Sequence, residues 1–157
     1  MERSYEALRD VEFTLELLEQ CEGDMRKFRI LFVACLTLLR TTGQVLVHKT
    51  ADPCVKKVAL NLFDEHKGNR SNHKIYFDFI DAERGLIVHE YTISLEENDI
   101  EVVYDASSGD IDTFNLGDPY RPLADDKTFD GQDVRDLIKE AIEWWKVQLK
   151  TIKQRLS

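Results

Sequence analysis

Residues Ile30–Leu39, ILFVACLTLL, form the longest apolar run in the chain, and the reading of that run decides the fold. It is about half of the roughly twenty residues that cross a bilayer. It sits inside a helical segment from about Met25 to His48 that is apolar nearly all round through Leu39. That is the pattern of a central helix covered by other helices.

The flanks supply the cover. On the N-terminal side, Leu8, Val11, Leu15 and Leu18 recur at helical spacing, so an amphipathic helix is predicted over Ser4–Glu22, with Ser4 as its cap and a break at Gly23-Asp24. On the other side, Asp52-Pro53 is a start signal, a capping carboxylate followed by proline at the first helical position. That third helix runs to about His66 and ends at Lys67-Gly68. A fourth begins near Ser71 and carries Ile75, Phe79, Ala82 and Leu86 on one stripe.

Beyond Glu90 the period changes. Tyr91, Ile93 and Leu95 alternate with Thr92 and Ser94, and Ile100–Tyr104 is rich in β-branched residues. The intervening Glu96-Glu97-Asn98-Asp99 suits a hairpin turn. Glycine, proline and aspartate then dominate from Ala106 to Gly131, which reads as a long acidic loop. Val134, Ile138, Ala141, Trp145, Leu149 and Ile152 trace the closing helix. The predicted fold is all-α, an antiparallel bundle of about five helices. A small β-hairpin and an acidic loop, about residues 91–131, are inserted before the last helix of this single domain, 1–157.

The chain has 157 residues and a formal charge of -9. That acidity argues against broad electrostatic wrapping of nucleic acid but leaves room for a local basic patch. Cys21, Cys35 and Cys54 are an odd number without a C-x-x-C pair, so neither a disulfide framework nor a zinc site is expected. The opening MERSYEALRD is too polar for a signal peptide, and a cytoplasmic location without membrane contact is the expectation.

Chemistry is concentrated in ERGLIVHEY, Glu83–Tyr91. Arg84 and His89 close the apolar fourth helix. Five residues at about 100° each leave their side chains about 140° apart, so a straight helix does not aim both at one point. Either the helix distorts, which Gly85 would ease, or the residues converge with those of a second subunit. The plainer alternative is that Arg84 pairs with Glu83, Asp81 or a carboxylate on another helix while His89 caps the helix C-terminus.

A helical bundle whose late helix ends in Arg84-Gly85-Leu86-Ile87-Val88-His89 resembles the HEPN superfamily, which includes RNA-cleaving toxins and the ribonuclease modules of defence systems. The resemblance covers the helical frame, Ser4 to Tyr91 plus the last helix. Family members usually place Asn, Asp or His directly after the arginine, where this chain has Gly85. The resemblance implies metal-independent endoribonuclease activity without a cofactor. A 2′-hydroxyl attacks the adjacent phosphate, His89 moves the proton and Arg84 stabilises the developing charge. It also implies a homodimer, an RNA substrate and a protein partner such as an antitoxin. A catalytically inactive interaction module on the same fold is the alternative. Arg40 and Glu90 are the substrate-binding candidates.

Arg40 ends the apolar run and needs a partner there, either a glutamate of the first helix or a phosphate near Arg84. His66 and His73 flank the turn HKGNRSNH, at a spacing that matches no metal-ligand pattern. Lys67, Arg70 and Lys74 beside them make the one dense basic cluster of the first half. Trp145 belongs to the core stripe, and Trp144 points about 100° away from it, toward the core or a partner subunit.

Overall fold

In a computed structural model, the chain is described over residues 1–21, 23–49, 51–95, 101–105, 111–115, 121–124 and 128–157, with residues 101–105 and 111–115 described by backbone alone. Five α-helices form a bundle: α1 (Glu2–Glu19), α2 (Met25–Val47), α3 (Pro53–Gly68), α4 (Ala82–Glu90) and α5 (Val134–Leu156). A short 3-10 turn (Arg70–Asn72) and a π-helix (Ile75–Asp81) lead into α4.

Helix α2 is the hub. Its 23 residues are long and apolar enough to cross a membrane, yet it packs against α1, α3, α4, α5 and the π-helix. Phe28, Phe32, Leu36, Leu39 and Leu46 are buried within it. Val11 and Leu18 of α1, Phe79 and Ile80 of the π-helix, and Ile138, Trp145 and Leu149 of α5 complete the core. All six residues of the predicted α5 stripe are buried. Burying an indole removes on the order of 200 Å² from water, a gross gain of about 5 kcal/mol. Gly43 makes room for it: a Cβ there would lie 2.5 Å from Cη2 of Trp145.

Aspartates open three helices. Asp24 accepts from the Lys27 amide at 3.0 Å, Asp52 from the amides of Cys54 and Val55, and Asp133 from the Arg135 amide at 2.9 Å. Each such cap contributes about 1 kcal/mol. The predicted cap Ser4 does not cap. Helix α1 starts at Glu2, its N-cap is Met1, and Ser4 is buried in the first turn.

Two further expectations are corrected. The stripe Ile75, Phe79, Ala82, Leu86 assumes one α-helix, but the π-helix changes the phase. Ile75, Tyr76, Phe79 and Ile80 are buried before α4, and Glu83 and Ile87 then face inward. Ala82 and Leu86 are only half-buried. The hairpin expected over Tyr91–Tyr104 is not shown. Its turn lies outside the described residues, and Tyr91 is a left-handed helix cap at φ 50°. Leu95 instead bridges Leu123, and the Ala124 amide donates to the Ser94 carbonyl at 3.1 Å. Within 91–95 only Ile93, Ser94 and Leu95 are half-buried, and the bridge partner of Leu95 lies far along the chain. The backbone of 101–105 runs antiparallel to 111–115 instead.

The segment before α5 is no solvated loop throughout. Leu123 and Phe129 are buried, the amide of Val134 donates to the Arg121 carbonyl, and Thr128 donates to Asp78 of the π-helix at 3.1 Å. The run Asp105–Asp118 falls largely outside the described residues.

Candidate functional site

Helix α4 carries the predicted chemistry. Its residues Ala82–Glu90 are regular α-helix, so no distortion brings Arg84 toward His89. The helix separates them by about 7.5 Å along its axis and about 140° around it. Arg84 is half-buried, and His89 and Glu90 are exposed in the last turn. Among the described residues, Arg84 and His89 make no ion pair or side-chain hydrogen bond. Arg84 therefore pairs with neither Asp81 nor Glu83, while His89 does stand in the last turn of α4, where a cation is favoured. Glu83 is buried, 3% exposed, and Asp81 is engaged elsewhere. A Cβ at Gly85 would meet nothing within 4 Å, so packing does not require glycine there.

The end of α4 is closed at a conformational cost. The Tyr91 amide donates to the Ile87 carbonyl at 3.1 Å and the Thr92 amide to the Leu86 carbonyl at 3.4 Å. The left-handed position that makes this closure favours glycine. A tyrosine there costs about 1 kcal/mol, and Tyr91 is 76% exposed. Val88 beside it is 54% exposed. The tip of α4 thus combines an open histidine with uncovered apolar surface, and Arg84 lies in the first turn of the same helix.

Arg40 departs from expectation in its partner. Its Nε lies 3.0 Å from the Asp81 carboxylate, at the end of the π-helix rather than on α1, and its guanidinium stands 5.7 Å from the centre of the Tyr76 ring. Asp81 precedes Arg84 by three residues, so one helical turn links the Arg40 pair to Arg84.

A second constellation converges where the sequence indicated only a turn. His66, at the end of α3, and His73, after the 3-10 turn, bring their ring centres to 3.9 Å. Trp144 donates from Nε1 to Nδ1 of His73 at 3.1 Å, which places the neutral His73 proton on Nε2. The Trp144 ring stacks on Tyr76, centres 5.1 Å apart. Trp144 therefore faces the molecule's interior. Burial pushes the His66 pKa down to about 4, and the neighbouring His73 pushes it further in the same direction. Burial also lowers that of His73. Both rings are thus held neutral. An open cavity of about 610 Å³ adjoins His73, lined also by Lys74, Phe129, Glu140, Trp144 and Gln148. No set of three His, Cys, Asp or Glu side chains among the described residues is grouped to hold a metal ion.

The sequence placed His66 and His73 on either side of one turn, but not Trp144 beside them, because it comes from α5, 71 residues along the chain from His73. No family model, no curated protein and no solved structure matches this chain.

Proposed function

We propose that this chain is a HEPN-like module acting as a cytoplasmic homodimer, in which Arg84 and His89 from two copies form a metal-independent endoribonuclease cleft. One observation carries the reading. Helix α4 offers both side chains, Arg84 in its first turn and His89 in its last, without internal partners among the described residues, on a helix too regular to converge them within one chain. A second copy supplies the missing half. The exposed Tyr91 in a left-handed conformation supports it, since such strain persists where a surface is used. Covering Tyr91 and Val88 would provide the apolar contact of a two-fold interface.

In that cleft Arg84 would hold a phosphate by paired N–H donors and stabilise the charge that develops as the 2′-hydroxyl attacks. His89 would transfer the proton, as imidazoles do near neutral pH. As the 2′-oxygen bonds to phosphorus the bond to the 5′-oxygen of the next nucleotide breaks, so products would carry a cyclic phosphate end and a 5′-hydroxyl end, and Glu90 would border the substrate. The test is incubation of purified protein with a mixed RNA pool in EDTA beside Arg84→Ala and His89→Ala. The expected result is cyclic-phosphate products from wild type and none from either variant. Equal cleavage by the variants would refute the assignment.

Gly85 favours a second reading, an interaction module of the same fold that binds a protein partner without cleaving RNA. It leaves empty the place where the resemblance expects a polar side chain, although a Cβ would fit. Gly85→Asn separates the two. Cleavage gained only in the variant would mark the wild type as the non-enzymatic form.

A further inference from the structure

In one cavity of this acidic chain, two arginines and a lysine meet three aromatic rings. It lies between α2, α3 and the π-helix, holds about 250 Å³, and is lined by Arg40, Phe63, Lys67, Arg70, Tyr76 and Phe77 among others. Two carboxylates share it, and each is already matched: Asp81 by Arg40 at 3.0 Å and Asp64 by Lys67 at 3.0 Å. Arg70 has no carboxylate partner among the described residues. Its guanidinium lies 4.6 Å from the centre of the Phe77 ring. The wall is therefore net positive on a protein of charge -9.

We propose that this groove is a subsite for one unpaired nucleotide of single-stranded RNA, lying along the strand that passes Arg84. The chemistry divides among the residues. Arg70 and the outer nitrogens of Arg40 take the phosphate, as an exposed fork of donors does best. The base stacks against the Arg70–Phe77 pair, a platform that accepts any base because every base has a π-face. Asp64 and Asp81 accept hydrogen bonds from ribose hydroxyls. The π-helix sets the geometry, since its wide turns carry Tyr76, Phe77 and Asp81 to one wall, and such helices recur at functional sites. Duplex RNA, with its bases stacked on each other, offers nothing to this platform.

The substrate class rests on the ribonuclease reading, but the subsite is tested by equilibrium binding alone. The probe is a fluorescent single-stranded oligoribonucleotide titrated against the full-length His89→Ala protein in EDTA, where it stays intact. A duplex of the same sequence and inorganic polyphosphate are the competitors. Phe77→Leu is expected to weaken binding about tenfold without changing its salt dependence, because stacking is lost and no phosphate contact is. Arg70→Ala is expected to weaken it by a similar factor and to flatten the slope of log affinity against log salt by about 0.7. Circular dichroism confirms that each variant is folded, and Arg70 is exposed enough that its loss leaves the core untouched. Single strands bound no better than duplex, polyphosphate competing as well as RNA, or unchanged binding in both variants would each overturn the subsite. Cleavage failing in wild type while these binding results hold would sink the enzyme reading and leave the subsite standing.

Discussion

The tip of α4 and the His66–His73–Trp144 cluster each hold histidine beside aromatic residues, yet they are opposite kinds of place. In the cluster every ring leans on another, His73 accepts from Trp144 at 3.1 Å, and His66 is 4% exposed. On α4, Arg84 in the first turn and His89 at the tip contact no charged partner among the described residues, and His89 stands in solvent. The cluster is built for stability, and its histidines are held neutral by their surroundings. The tip contributes little to the fold and leaves its polar groups available. A histidine's role follows from its partners rather than from its spacing in the sequence.

That contrast makes graded predictions. Truncating the centre of the cluster's support should have the largest effect: Trp145→Ala is expected to cost about 3–5 kcal/mol by urea unfolding, since the fully buried indole leaves a cavity. Next comes acid. The folded-state pKa of His66 is depressed to about 4 against an ordinary value of 6.5, so between these values the unfolded chain binds the extra proton. The stabilisation is complete above about pH 6.5 and is lost as pH falls toward 4, on the order of 3 kcal/mol. His66→Phe should remove that part of the slope in chemical denaturation measured across the range. An undiminished slope would refute the neutral buried imidazole.

Trp144→Phe keeps the stacking on Tyr76 but removes the donor to His73, an expected loss of about 1 kcal/mol. Changes at the tip should not destabilise the fold. His89→Ala is expected to stay within about 0.5 kcal/mol of wild type, and Tyr91→Gly to gain about 1 kcal/mol by relieving the left-handed tyrosine. A tip substitution as costly as Trp144→Phe would erase the distinction between the two regions.

What the sequence made legible follows the same line. Periodicity located α2 and α5, and Asp52-Pro53 located the start of α3, because each signal is local. The π-helix was invisible to a reading that assumes a single helical period, and it moved Glu83 and Ile87 inward in place of Ala82 and Leu86. The end of α4 at Tyr91 and the partner of Leu95 were not readable, since Leu123 lies beyond the acidic loop and nothing near Leu95 identifies it. For Arg40 the need for a carboxylate was readable and the identity of Asp81 was not. Burial sets partners through tertiary contact, and spacing along one helix carries no record of them.

The central claim is that α4 works only against a second copy of itself. Mixing the Arg84→Ala and His89→Ala proteins and assaying RNA cleavage in EDTA tests it most directly. In a composite cleft, the mixed dimer pairs an intact Arg84 from one chain with an intact His89 from the other. The account predicts that the mixture regains part of the activity each variant lacks alone. A mixture as inactive as its components, from a wild type that cleaves, would place both residues of the working site within one chain and contradict it.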